Sequence, residues 1–135
     1  MRRVGRLVIL VRDYAEAIAF YRDRLGFEVF VDIDAGERRF VHVRLPSQTD
    51  FGIWLLKAES SADLERAGGQ TGGQPVAVIY TDRLARDVEE LSGRGVTFTV
   101  PIKKEPGAMF AHFVDLYGNE FVLVELSSAK EKVRV

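Results

Sequence analysis

One pattern occurs twice in this chain, and it restricts what the chain can fold into. Residues 13–26 and 82–95 have equal length; each opens on an aspartate able to cap a helix, carries apolar residues at helical spacing and closes on a glycine. In the first copy Asp13 has Glu16 three residues on, as in a capping box, and Ile18, Tyr21 and Leu25 recur at helical spacing. In the second, Thr81 or Asp82 is the cap, Leu84, Val88 and Leu91 share one face, and Gly93 or Gly95 is the stop. Apolar runs of strand length surround both copies, at 7–11, 27–32, 39–45 and 51–56 and again at 76–80, 96–100, 109–114 and 120–126, the last two flanking the turn signal Tyr117-Gly118-Asn119. The expected fold class is α+β, two tandem β-α-β-β-β modules forming a curved mixed sheet around a concave pocket. The boundaries fall at about 4–57 and 75–126, with a Ser- and Gly-containing linker at 58–74 and a polar tail at 127–135 in which Val133 and Val135 could dock on a partner. A ferredoxin-like sandwich also repeats a β-α-β unit and stands as the alternative.

Size and charge narrow the function classes. A chain of 135 residues suits one domain with one core. Nineteen basic against twenty acidic residues give a formal charge of -1, so no long-range field draws in nucleic acid or an anionic membrane. No cysteine is present, which removes disulfides, thiolate ligands and thiol nucleophiles and fits a cytoplasmic location. The apolar run after Arg6 is far shorter than the ~20 residues of a spanning helix, and no small-residue cleavage site follows it. G-x-S-x-G, Walker and H-E-x-x-H patterns are all missing, and the glycines of 68–73 lack a Gly-Lys-Ser/Thr ending and precede a strand, so they do not cradle phosphate.

Several segments resemble the vicinal oxygen chelate superfamily, which includes glyoxalase I, extradiol dioxygenases, fosfomycin-resistance enzymes and bleomycin-binding proteins. They are Val11-Arg12-Asp13-Tyr14-Ala15-Glu16-Ala17 running into Phe20-Tyr21-Arg22-Asp23-Arg24-Leu25-Gly26-Phe27, then Thr81-Asp82, then Phe113-Val114-Asp115-Leu116-Tyr117-Gly118-Asn119. The resemblance covers almost the whole chain and carries the scaffold. It implies a homodimer and, in metal-dependent members, one divalent cation held by His or Gln on the first strand, Glu on the fourth, His on the fifth and Glu on the last. The matching positions here are Arg6, Trp54, Val76 and Val122, and a slip of one residue in either direction restores no ligand. No metal or other cofactor is therefore expected.

Those replacements describe a different kind of cavity. Arg6 and Trp54 with aliphatic Val76 and Val122 would line an apolar pocket holding one cation; Trp can stack on a flat ring while Arg meets a carboxylate or carbonyl. The competing view makes Trp54 a core plug and pairs Arg6 with Glu120 or Asp50. Strand alternation puts Phe40, His42 and Arg44 on one face. If that face is the inner one, His42 binds ligand or acts as a base; if not, it is a solvated edge histidine, the reading favoured by the lack of an adjacent carboxylate. His112 alternates with Phe110 and Val114, and Tyr80 ends the strand that Val76 begins. The expected ligand-binding set is thus Arg6, Phe40, His42, Trp54, Val76, Tyr80, His112 and Val122, with no catalytic residue assigned. The expected function is binding of a small hydrophobic or planar molecule. The alternative is a lyase, isomerase or dioxygenase of the same superfamily, using non-standard metal ligands or metal-free acid–base chemistry.

Overall fold

The computed structural model describes residues 1–127, so the expectations for the rest of the tail, Val133 and Val135 included, lie outside the described residues. The chain divides into two compact units, the first ending at Gln70 and the second beginning at Thr71. No helix among the described residues is long and apolar enough to cross a membrane.

The first unit contains β1 (Arg6–Val11), α1 (Tyr14–Ala19), β2 (Glu28–Asp34), β3 (Arg39–Arg44), β4 (Gly52–Lys57) and α2 (Ser61–Arg66). Its four strands form one sheet in the order β1-β4-β3-β2, with β1 parallel to β4 and the other pairs antiparallel. Asp13 caps α1 by accepting the Glu16 N–H at 2.9 Å. The helix then widens into a π-helical segment, Phe20–Arg24, and stops where Gly26, at φ 79°, lets the Phe27 N–H return to the Tyr21 carbonyl at 2.9 Å. Alternation along the strands sends Ile9, Val11, Val41, Val43, Ile53 and Leu55 into the core, where Ala17, Tyr21 and Leu25 of the helical segment are also buried. Tyr21, fully buried, meets Phe27 edge to face with ring centroids 5.6 Å apart.

The linker reading of 58–74 misses a short helix. Ser60 caps α2 by accepting the Asp63 N–H at 3.1 Å, a local signal that the flanking glycines obscured. Beyond it, Gln70 lies along the outer edge of β1. Its side-chain amide accepts from the Leu10 N–H at 2.9 Å and donates to the Val8 carbonyl at 2.9 Å, satisfying backbone groups that an edge strand leaves open.

The second unit repeats the plan with β5 (Ala77–Tyr80), α3 (Leu84–Gly93), β6 (Thr97–Glu105), β7 (Ala108–Val114) and β8 (Glu120–Leu126), in the sheet order β5-β8-β7-β6. Here the start of the helix differs from expectation. Arg83 occupies the cap position and makes no side-chain cap bond. Instead Glu125 of β8 accepts the Leu84 N–H at 2.8 Å, while the Thr81 hydroxyl accepts from the Arg83 N–H at 3.2 Å and pairs with the Asp87 carboxylate. A cap supplied from a distant strand leaves no local sequence trace. The helix turns off at Gly95, at φ 88°. Leu84 is fully buried, and Phe113 and Phe121, also buried, stack with centroids 5.1 Å apart and planes 6° from parallel. β6 runs longer than expected, through Pro101, because it is an edge strand with two register irregularities where a missing N–H is tolerated.

The β7–β8 connection is built on one buried carboxylate. Asp115 accepts from the Tyr117 and Asn119 N–H groups, both at 2.9 Å, and from the Asn119 side-chain amide at 2.8 Å, while Gly118 takes φ 96°. Asp115→Ala strands these donors in a buried turn. We expect a loss of about 2–4 kcal/mol of unfolding free energy, read by urea denaturation, and a smaller loss for Asp115→Asn.

Candidate ligand-binding site

The helix-side face of the first sheet is spent on the core, so chemistry in this unit belongs to the opposite face. Register places Arg6 beside Gly52 on the β1–β4 pair and His42 beside Trp54 on the β3–β4 pair. On that face the Arg6 Nε–H donates to His42 Nδ1 at 3.0 Å, and Nη1 donates to the Gly5 carbonyl at 2.6 Å. The His42 and Trp54 rings lie 5.6 Å apart, and Phe40 lies 6.0 Å from Trp54. Four of the expected residues, Arg6, Phe40, His42 and Trp54, are therefore neighbours. His42 sits on an interior strand of its sheet, so the edge-histidine reading fails.

Phe30 belongs to the same cluster, and sequence reasoning missed it. A bulge between Val29 and Val31 shifts the β2 register, a local event that alternation does not foresee. The Phe30 ring lies 4.5 Å from the Arg6 guanidinium, 4.4 Å from that of Arg44 and 6.1 Å from the His42 ring. It closes over Gly52, where an added Cβ would come within 2.8 Å of the ring. Arg44 is neutralised by Glu28 at 2.7 Å. Arg6 is not: among the described residues no carboxylate pairs with it, neither Glu120 nor Asp50.

The hydrogen-bonding polarity of the cluster follows from Arg6. A guanidinium only donates, so Nδ1 of His42 must present a lone pair and the neutral ring carries its hydrogen on Nε2. Nε2 of His42 and Nε1 of Trp54 are both buried, and neither finds a partner among the described residues. Burial, and secondarily the positive charge of Arg6, hold the His42 imidazole below its ordinary value of 6.5.

In the second unit, β7 and β8 place His112 directly opposite Val122, the counterpart of the His42–Trp54 pair. His112 packs on Phe110 at 5.6 Å, and its Nδ1 faces a Glu120 carboxylate oxygen at 3.3 Å. Val76 precedes β5, its N–H bonded to the Glu120 carbonyl at 2.8 Å, and Tyr80 ends β5 half exposed on the same side as Val78 and Val122. Val76, Tyr80, His112 and Val122 thus share one face of this unit.

The donor set does not fit a divalent cation. Arg6 is itself cationic, Trp54 offers an N–H rather than a lone pair, and Val76 and Val122 offer nothing. Among the described residues no three His, Asp or Glu side chains come together.

Comparison with known proteins agrees with the topology. The Glyoxalase/Bleomycin resistance protein/Dioxygenase superfamily model matches residues 3–123, and the chain belongs to that superfamily. An uncharacterized protein of Shewanella frigidimarina is 31% identical over 126 residues, covering 92% of this chain and 93% of its own. The crystal structure of UcmS2 superposes with a TM-score of 0.83 at 31% identity, over 92% of this chain and 98% of that one. TnmS3, an antibiotic binding protein from Streptomyces sp. CB03234, superposes with a TM-score of 0.78 at 24% identity, over 94% and 98% of the two chains.

Protonating His42 would set an Nδ1–H against the Arg6 Nε–H and place two cations side by side. The native state therefore favours the neutral ring: its contribution to stability is fully present above 6.5 and is lost as pH falls through the lower folded value. NMR titration should give His42 a midpoint below 6.5, and Arg6→Met should move it upward without restoring it fully, since burial remains.

Proposed function

We propose that this protein binds a small, largely apolar organic molecule, flat enough to lie against Trp54, at the face formed by Arg6, His42 and Trp54, without a metal ion and as a homodimer. The observation that carries this reading is the pair of buried donors, His42 Nε2 and Trp54 Nε1, left without acceptors among the described residues, beside a cation that no carboxylate of those residues meets. Unpaired donors away from water cost on the order of 1–3 kcal/mol each, and an occupant that meets them recovers that cost on binding. Aromatic walls with a few polar groups are the usual make-up of small-molecule sites. TnmS3, alike in fold, is an antibiotic binding protein, so the scaffold is compatible with small-molecule binding. Sequestration, rather than turnover, is the function that this chemistry supports.

A second reading rests on His112. A carboxylate at its Nδ1 orients the ring as acid–base histidines are oriented, which would serve metal-free proton transfer in the second unit.

The chain has one tryptophan, so its fluorescence reports directly on the proposed face. A planar ligand should quench Trp54, and Arg6→Ala should weaken that ligand roughly tenfold or more while the protein stays folded. Unchanged affinity would overturn the assignment. Elemental analysis of purified protein should find no stoichiometric Ni, Zn, Fe or Mn; one equivalent of any of these would favour the enzyme.

A further inference from the structure

Resting on that reading, we infer that the first-unit face selects for an oxygen acceptor on the flat ligand, a carbonyl or carboxylate attached to the ring, with His42 as a fixed donor that sets specificity. Three groups lie side by side there, and each of them can only donate to a ligand. The Arg6 guanidinium has no other capability, the Trp54 indole carries an N–H only, and the neutral His42 ring has its acceptor nitrogen occupied by Arg6 at 3.0 Å. What is left on His42 is Nε2–H, buried and without a partner among the described residues, like the indole N–H of Trp54, whose ring centre is 5.6 Å away. A ligand that also donates at this point would leave the N–H groups unpaired and add another, whereas an oxygen acceptor admitted beside either ring pairs its N–H.

The duplicate in the second unit sets a histidine at the matching position beside a neighbour of opposite character. His112 occupies the matching place, opposite Val122 as His42 is opposite Trp54. Its Nδ1 faces Glu120 at 3.3 Å, and a carboxylate oxygen only accepts. An acceptor at that position favours a hydrogen on Nδ1, the reverse of the arrangement that Arg6 imposes on His42. The two histidines thus meet neighbours of opposite charge at equivalent sites.

Two measurements test the inference. Long-range ¹H–¹⁵N correlation spectra above pH 7 should show His42 as the Nε2–H tautomer; an Nδ1–H ring at His42 overturns the inference whatever binds. Titrations with naphthalene, 2-acetylnaphthalene, 2-naphthoate and 2-naphthylamine, followed by calorimetry and by the single indole N–H cross-peak, supply the ligand arm. The acetyl and carboxylate compounds should bind roughly tenfold or more tightly than naphthalene and move the indole cross-peak downfield, with 2-naphthylamine no better than naphthalene. Trp54→Phe, which keeps the ring and loses the donor, should narrow the gap. Equal affinities with an unmoved cross-peak would sink the acceptor preference and leave small-molecule binding standing. No binding by any of the four up to their solubility would sink the binding reading itself and this inference with it.

Discussion

A guanidinium cannot accept a hydrogen bond, and in this protein that restriction propagates. Arg6 donates to the ring nitrogen of His42, and the imidazole then has one tautomer available to it. The hydrogen then sits on Nε2, buried without a partner among the described residues, as is Trp54 Nε1, and burial favours the uncharged ring. Phe30 supports the arrangement from beneath, its ring facing both Arg6 and Arg44, and Gly52 leaves the space the ring needs. The character of the face therefore follows from one contact and the packing that holds it.

Much of the scaffold was legible in the residues. The doubled cap-to-glycine segment gave both helices and the strands around them, and β8 falls on the expected residues 120–126. That Phe40 and His42 share a face follows from period-two alternation along β3, whereas Arg6 and Trp54 come from the ligand positions of the resemblance, and alternation leaves open which side His42 faces. What escaped sequence reasoning has a common physical origin. Phe30 depends on a bulge, the start of α3 depends on Glu125 from another strand, and the partner of His42 is a residue 36 positions away. Each is a relation between segments, and periodicity reads only along one.

The two units are built alike and have diverged in chemistry. Equivalent histidines stand on β3 and β7, but one faces a cation and the other an anion. A swap of one neighbouring charge inverts what a ring offers to a ligand, with no change to the strands that carry it. In a superfamily whose members differ widely in what they bind or transform, such exchanges at fixed positions are an economical route to new specificity.

The primary amide of Gln70 occupies the place that a neighbouring peptide group would take along β1, with one bond given and one received. An incoming extended segment would have to evict it before zipping onto that margin, so the side chain works as a short decoy strand. A recombinant fragment cut ahead of position 70 would lose this guard, and its bared margin would invite self-association that the intact chain resists.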